Sequence, residues 1–336
     1  MKKTIKILLL GVLFSAPVLL SAQDPHFSSN NEILPYHSPG FIGTMENQME
    51  FQTLYRNQWK NVGTAFQTFG LMGNAKIYKS SGSSLSVGGF VINQQAFSYQ
   101  NLLANVMVAS NVKLNEGQIL TVGIGAGTRY EVLNPDELMW PDQYNGSVYD
   151  ENIDHGEYFD TEQALAFDLA AGISYSFVDK SNGGEKFPKK KGAFGFGFWH
   201  LNQGKRLTMT EENADIKSTF FGSMLFAMGE ESNTALNPYL LGMYAGGASE
   251  LLLGVDVKFF LAQGGEYSTS KTIMTLGAAY RYEDAFISKI MYQFSNIGVG
   301  LLYEVNTSKL RNASNGFGSI EVLLCYSPAR KNFSLY

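Results

Sequence analysis

Hydrophobic and polar residues alternate along most of the chain from Gln48 onward, with a period of two residues rather than the 3.6 of a helix. The clearest example is the segment 164–178, in which Phe167 and Leu169 fall on one face and Asp168 falls on the other. Alternation of this kind is typical of β-strands whose two faces meet different environments. The pattern therefore predicts an all-β protein.

The alternation predicts fourteen strands, most of them 9 to 15 residues long. A tilted strand needs about 9–11 residues to cross a bilayer, whereas strands of soluble proteins average about 5–6 residues. An even number of strands is typical of single-chain bacterial barrels. The predicted strands are 48–57, 65–78, 84–95, 99–113, 118–132, 164–178, 192–201, 216–228, 236–247, 250–261, 271–283, 286–294, 297–306 and 317–327.

Small and polar residues crowd one face of these strands, while Leu, Val, Phe and Tyr crowd the other. A soluble sandwich of long strands is an alternative, but its Gly-rich second face would be a poor surface for water. In a membrane, the apolar face contacts lipid and closure removes the sheet edges, whose backbone groups lipid cannot satisfy. We therefore expect residues 48–336 to form an antiparallel transmembrane β-barrel of about 14 strands.

Composition agrees with this expectation and excludes other classes. Charged residues make up 16% of the chain, against roughly 25% in an average soluble protein. Beyond residue 22 the chain has no apolar run of about 18 residues, which a helical membrane bundle requires. The net charge of -5 lacks the basic excess expected of a nucleic-acid-binding protein. The single cysteine, Cys325, excludes an intramolecular disulfide.

Residues 1–22 have the composition of a secretory signal peptide. Three lysines precede a largely apolar stretch, and Ser21-Ala22 offers a small-residue cleavage site before Gln23. We expect cleavage there and export of the mature chain to the outer membrane of a Gram-negative cell. Residues 23–47 are then expected to form an N-terminal periplasmic segment ahead of the barrel.

The lengths of the connections predict which end of the barrel faces outward. If residue 23 begins on the periplasmic side, odd-numbered connections face the cell exterior and even-numbered ones face the periplasm, where turns are short. The stretch from Leu133 to Gln163 is the fifth connection and is expected outside, whereas Leu114 to Gly117 is a tight turn expected inside. The sixth connection, Asp179 to Lys191, fits less well because it is long and carries five lysines.

The outward stretch from Leu133 to Gln163 carries nine acidic residues and no Lys or Arg. Carboxylates are ligands for calcium, but their spacing here is not that of the twelve-residue calcium loop. Contact with a protein partner and simple solvation of the loop are the other two interpretations. The candidate partner-contact residues are Asp142, Asp150, Glu151, Asp154, Glu157 and Asp160.

Charged residues on the polar strand faces are expected to pair inside the lumen, because unpaired charge at membrane depth is rare. They are Glu50, Arg56, Asp168, Asp256, Lys258, Arg281, Glu304 and Glu321. The three tryptophans are expected in the aromatic girdles at the membrane interfaces rather than in a ligand cage. They are Trp59, Trp140 and Trp199.

Nothing in the sequence indicates catalysis. The four histidines lie in four separate segments, and the chain has no nucleophile-elbow, zinc-pair or Walker-type motif. We therefore expect no enzymatic activity, no cofactor and no metal site.

Several segments together resemble the PorP/SprF family, whose members are outer-membrane proteins of the type IX secretion system and gliding machinery of Bacteroidetes. They are Gln23-Asp24-Pro25-His26-Phe27-Ser28, Ser38-Pro39-Gly40, Tyr55-Arg56-Asn57-Gln58-Trp59, Tyr303 to Leu310 and Gly316 to Tyr326. The chain departs from the family at Ser38-Pro39-Gly40, where members commonly have Asn-Pro-Ala. The family-motif residues expected to be structural are Tyr55, Arg56, Asn57, Gln58, Trp59, Tyr303, Asn306, Ser308, Leu310 and Glu321.

The resemblance implies a role in type IX secretion, either assisting the machinery or holding a secreted adhesin at the cell surface. The implied partners are a secreted surface protein or other components of the secretion system, together with outer-membrane lipid. The alternative is an outer-membrane channel for small solutes. A secretion partner should co-purify with protein, whereas a channel should conduct or take up a ligand.

Overall fold

The computed structural model describes residues 24–44, 47–135, 138–154, 156, 162–179, 186–207, 213–229, 232–263 and 271–328. One closed sheet of fourteen antiparallel strands dominates it, in which sequence neighbours pair and the last strand pairs with the first. The strands are β1 Met49–Gln58, β2 Phe66–Lys79, β3 Ser83–Ala96, β4 Tyr99–Asn115, β5 Gln118–Leu133, β6 Gln163–Val178, β7 Lys190–Trp199, β8 Lys217–Ala227, β9 Thr234–Ala245, β10 Ala248–Gln263, β11 Lys271–Arg281, β12 Ala285–Phe294, β13 Ile297–Asn306 and β14 Phe317–Tyr326.

The predicted β-barrel is confirmed, and every strand end lies within two residues of its predicted position. Helical structure in the described residues consists of short pieces. These are α1 Leu34–His37, α2 Arg311–Ser314 and 3-10 turns at Pro39–Phe41 and Pro141–Gln143. Within the described part of the chain, no helix has the length and apolar content needed to cross a membrane.

The two faces of the sheet differ as the alternation predicts. On β6, Leu165 and Phe167 are 71% and 56% exposed, whereas Asp168 is 8% exposed. On β10, Leu253 lies on the outer face and Asp256 is fully buried in the lumen. Apolar side chains thus cover the outer surface and charged side chains lie inside, as a lipid environment requires.

The connections divide between two ends of the barrel. At the loop end lie the connections 134–162, 200–216 and 307–316. At the turn end lie the tight connections 116–117 and 295–296, in which Gly117 and Ser295 have positive φ. The assignment of the loop end to the cell exterior stays a prediction.

Residues 24–44, which we call the plug, lie inside the barrel. Phe27, Ile33 and Phe41 are each at most 2% exposed. This differs from the expectation of a separate periplasmic segment over residues 23–47. The reason is that the segment carries large apolar side chains, and the lumen offers apolar wall residues that bury them.

Candidate functional site

The plug is held in the lumen by an aromatic core. Tyr36 packs edge-on against Phe27 and against Phe90 of β3, with ring centroids 5.1 and 5.5 Å apart. Phe41 makes a similar contact with Phe221 of β8 at 5.7 Å. Burying an aromatic side chain contributes about 1.5–3 kcal/mol, so several such contacts fix the plug firmly.

Glycines in the wall allow the plug backbone to approach closely. A Cβ at Gly172 of β6 would lie 2.0 Å from Ser38 Oγ, and one at Gly197 of β7 would lie 2.2 Å from the carbonyl oxygen of His37. Ser38 Oγ also donates a hydrogen bond to the carbonyl oxygen of Phe196 at 2.7 Å. Larger side chains at these two lumen positions would displace the plug.

Trp199 belongs to this interior and not to an interfacial girdle, so the expectation for Trp199 is wrong. It is 2% exposed, and its indole N–H donates to the carbonyl oxygen of His37 at 3.1 Å. Its side chain points into the lumen from the end of β7, where it packs on Phe90 with ring centroids 5.5 Å apart. Trp59 lines a loop-end cavity and Trp140 lies in the acidic loop.

A cluster of buried charges, which we call the seam cluster, joins the plug to the strands that close the barrel. Arg56 pairs with Glu304 at 2.8 Å and with Glu321 at 3.3 Å, and Arg281 pairs with Glu304 at 2.9 Å. Ser28 of the plug donates to Glu321 from its backbone N–H and to Glu304 from its hydroxyl. The predicted pairing of these charged residues inside the lumen is confirmed.

A second charge cluster lies nearer the turn end. Lys289 of β12 pairs with Glu32 of the plug at 2.6 Å and with Asp256 of β10 at 2.8 Å. Asn31 of the plug also donates to Asp256 at 2.9 Å. The plug therefore supplies ionic and hydrogen-bonding partners for charged side chains of the barrel wall.

A third cluster, the latch cluster, holds the start of the plug at the loop end. Asp24 pairs with Arg129 at 3.2 Å, with His200 at 2.9 Å and with Lys217 at 2.5 Å. The other ring nitrogen of His200 lies 2.9 Å from Asp168. Each nitrogen of this imidazole thus faces a carboxylate, which favours the doubly protonated, charged form.

The electrostatics of the latch cluster agree with this geometry. Burial by itself raises the pKa of Asp24, but Lys217, His200 and Arg129 outweigh burial and hold that pKa well below its ordinary value of 3.8. Burial lowers the pKa of His200, but Asp24 and Asp168 outweigh it and raise that pKa above 6.5. The cluster therefore favours an ionised carboxylate at Asp24 and the charged form of the His200 imidazole.

Two cavities flank the plug. The loop-end cavity has a volume of about 660 Å³ and is lined by plug residues Asp24 and His26 together with wall residues such as Trp59. The turn-end cavity has a volume of about 340 Å³ and contacts Glu32 and Leu34 of the plug. The plug lies between the two cavities.

The acidic loop forms a local structure around Gln143, which is 6% exposed. The amide of Gln143 donates to the carbonyl oxygen of Ile153 at 3.1 Å and accepts from the Tyr149 hydroxyl at 3.0 Å. Within the described ranges, no group of three or more His, Cys, Asp or Glu is arranged to hold a metal. Of the candidate contact residues, Asp142, Glu151 and Asp154 are exposed, Asp150 is half-buried, and Glu157 and Asp160 lie outside the described residues.

The family-motif residues of β1 serve both faces of the barrel. Tyr55 is 42% exposed on the outer face, and the Asn57 amide donates to its hydroxyl at 3.5 Å. Arg56 points inward to the seam cluster, and its Nε donates to Gln58 at 3.4 Å. Gln58 and Trp59 line the loop-end cavity.

The motif residues near the C-terminus shape the last hairpin. Tyr303 is 40% exposed on the outer face, whereas the buried amide of Asn306 donates to Ser314 Oγ at 2.9 Å. The backbone N–H of Ser308 donates to the carbonyl oxygen of Asp284 at 3.0 Å, and the Leu310 carbonyl accepts from Ser314 at 2.9 Å. Glu321 belongs to the seam cluster, where pairing of β1 with β14 brings the two groups of motif residues together.

Sequence reasoning missed the plug and the residues that hold it. The alternating pattern begins at Gln48, so it does not include Asp24, Ser28 or Glu32. The partners of these residues also lie far away in sequence. Two signals were present, namely the apolar residues of segment 24–44 and the cations at inward positions such as Lys289.

The fold and the plugged lumen define an outer-membrane β-barrel protein. The family model for the type IX secretion system membrane protein PorP/SprF matches residues 19–326. The chain therefore belongs to the PorP/SprF family, a family of secretion-system membrane proteins rather than a class of enzymes. No curated protein matches the chain.

Solved outer-membrane barrels are similar to this chain at low identity. A CymD monoaromatic hydrocarbon channel is 8% identical with a TM-score of 0.47, covering 87% of this chain and 91% of the channel. A Pseudomonas aeruginosa FadL homologue is 8% identical with a TM-score of 0.46, covering 86% and 92%. A KdgM porin is 7% identical with a TM-score of 0.36, covering 83% and 98%.

Proposed function

We propose that this protein is an outer-membrane partner of the type IX secretion machinery that contacts secreted or machinery proteins through its loop end. The observation that carries the proposal is the plug, which occupies the lumen and is tied to the wall by three clusters of buried charge. The outer wall faces lipid, so the two ends of the barrel are the surfaces on which a protein can bind. The longest connection, 134–162, lies at the loop end.

Passage of solutes would require the plug to leave the lumen. Its departure would remove Glu32 from Lys289 and Asp24 from Lys217. These ion pairs, together with the buried aromatic contacts of Tyr36 with Phe27 and Phe90, oppose the departure of the plug. The plug therefore favours protein contact over the alternative of a channel for small solutes.

The acidic loop has the surface chemistry of a contact site. Met139, Tyr144 and Val148 are 71%, 55% and 60% exposed, and acidic side chains lie beside them in the sequence. Exposed apolar side chains rimmed by polar groups are typical of protein interaction surfaces. The partner surface that fits this loop is apolar at its centre and basic at its rim.

The test replaces residues 142–160 with a short Gly/Ser linker. The barrel should still fold, because strands β5 and β6 anchor both ends of the loop and loop-closure entropy varies slowly with length. Retention of secreted protein at the cell surface should fall, as measured by pull-down and by a count of surface-retained cargo. Charge attraction should also weaken with added salt, since the Debye length is about 8 Å at physiological ionic strength.

Point variants separate loop chemistry from loop length. Met139→Ser combined with Val148→Ser should reduce cargo recovery, whereas Val62→Ser should leave it unchanged. Val62 is a suitable control because it is 45% exposed in the connection between β1 and β2, at the same end. Unchanged recovery with a folded, loop-replaced barrel would remove the loop from the mechanism. Conductance by the wild-type protein in planar bilayers would favour the channel alternative.

A further inference from the structure

The loop-end cavity has the size and chemistry of a ligand site that the proposed secretion role does not use. Its volume of about 660 Å³ falls within the roughly 300–1,000 Å³ of typical small-ligand pockets. One wall comes from β1 to β4, and the facing wall comes from β10, β11 and the connection between β11 and β12. The two walls carry different groups.

The first wall is aromatic and carries side-chain amides. Trp59 packs edge-on against Phe66, with ring centroids 5.3 Å apart and planes at 85°, and Tyr99 lies on the same wall. Trp59 has a φ of 57°, an unusual conformation for a bulky residue, just beyond the last residue of β1. The half-buried amides of Gln58 and Gln94 complete this wall.

The facing wall carries charges that are already paired with one another. Glu250 lies 2.6 Å from His26 Nδ1 and 3.5 Å from Arg281, and Arg281 donates to Asp284 at 2.8 Å. A carboxylate offers about four acceptor sites, so Asp284 keeps capacity for a ligand after its bond to Arg281. The wall therefore presents planar hydrogen-bonding groups rather than a strong field of one sign.

This combination selects among ligand classes. A hydrocarbon would displace water from the amides of Gln58 and Gln94 without replacing the lost hydrogen bonds, which costs free energy. An anion would meet Asp24, Glu250 and Asp284. A polyhydroxylated, uncharged ring satisfies both walls, because its C–H face stacks on an aromatic ring while neighbouring hydroxyls bond to amide and carboxylate groups.

We propose that the loop-end cavity binds a short neutral oligosaccharide, stacked on Trp59 and hydrogen-bonded by Gln94 and Asp284. The plug forms the floor of this site through His26. The site is independent of the described part of the acidic loop, none of whose residues line the cavity. Failure of sugar binding would therefore leave the proposed secretion role untouched, and the reverse also holds.

The test uses the full-length protein purified in detergent and four probes: maltotriose, cellotriose, mannotriose and triacetylchitotriose. Calorimetric titration should show saturable binding of at least one of them, and trigalacturonic acid should not bind. Gln94→Ala should weaken binding by about tenfold, the effect of losing one or two hydrogen bonds. Gln95→Ala is the matched control, because the adjacent glutamine lies on the exposed outer face of the same strand and should change nothing.

A tryptophan variant adds a second readout. Trp59→Phe keeps an aromatic platform, so it should retain calorimetric binding while abolishing the fluorescence change that sugar produces in the wild type. Trp59→Ala should lose both, with the barrel still folded by circular dichroism. The proposal is overturned if none of the four sugars binds the wild type up to its solubility limit. It is equally overturned if binding persists unchanged in both Trp59→Ala and Gln94→Ala.

Discussion

Arg56 and Glu321 face each other across the seam where β1 and β14 close the barrel, and their side chains form an ion pair of 3.3 Å. The two residues belong to motifs 265 positions apart in sequence. Ser28 of the plug bonds to the same carboxylate, so closure of the barrel and seating of the plug share one cluster. This relationship brings motifs from opposite ends of the chain into one cluster.

Removal of Arg56 should destabilise both the seam and the plug. Arg56→Leu leaves Glu304 and Glu321 buried with fewer cationic partners, and breaking such a buried pair costs about 3–5 kcal/mol. The midpoint of urea unfolding of the vesicle-inserted protein should fall accordingly. Tyr55→Leu, on the lipid face one residue away, is the control and should cost much less. Equal losses in the two variants would mean that the seam cluster contributes no stability.

A charged side chain on the lipid face should lower the free energy of unfolding more near the middle of the bilayer than near its edge. Ile124 lies in the middle of β5 and is 65% exposed, so Ile124→Arg should cost about 2–4 kcal/mol. Leu169 is also lipid-facing, but its backbone bonds to Asn202 of a loop-end connection, so Leu169→Arg should cost less. Asp168→Asn, which faces the lumen, removes the negative charge beside His200 but keeps an oxygen that can accept the hydrogen bond from the imidazole, so it should cost much less than Ile124→Arg. Equal unfolding midpoints for the two arginine variants would contradict the depth order.

The sequence pattern was sufficient to predict the strands of the barrel wall, but it did not predict what fills the lumen. Apolar and polar residues alternate along strands such as β6 because lipid lies on one side of the sheet and the lumen on the other. This constraint acts on each residue separately, so it can be seen in the local sequence. The plug obeys no such period, since residues such as Tyr36 find their partners on distant strands. Trp199 illustrates the limit: its residue type predicts the membrane interface, but its indole N–H donates to the carbonyl oxygen of His37 in the plug, so the side chain points inward.

The close approach of the plug to the wall predicts that a single added side chain will expel it. In Gly172→Val, the new Cβ would overlap Ser38 Oγ, which lies 2.0 Å from its ideal position. The barrel should remain folded by circular dichroism, while conductance in planar bilayers and proteolysis of the segment 24–44 should both increase. Gly242→Val is the control, because no atom lies within 4 Å of a Cβ placed there. Unchanged protease resistance in Gly172→Val would show that the plug does not depend on this contact.

The latch cluster predicts a plug that is held most tightly over an intermediate pH range. Asp24 has a lowered pKa, so its stabilisation is complete above about pH 3.8 and is lost as the pH falls through the lower value of the folded protein. His200 has a raised pKa, so its stabilisation is complete below about pH 6.5 and is lost as the pH rises through the higher value of the folded protein. Unfolding midpoints measured over a pH series should therefore decline on both sides.

Two variants test which group causes each of the two declines in the unfolding midpoint, the one at acid pH and the one at alkaline pH. His200→Gln should remove the part of the alkaline decline that comes from the imidazole and keep the acid one. Asp24→Asn should weaken both, because the carboxylate of Asp24 also raises the pKa of His200. Asp24→Asn also takes away the carboxylate that pairs with Lys217 and Arg129, so protease access to the start of the plug should increase in that variant. An alkaline decline of the same size in His200→Gln as in the wild type would place the titrating group elsewhere.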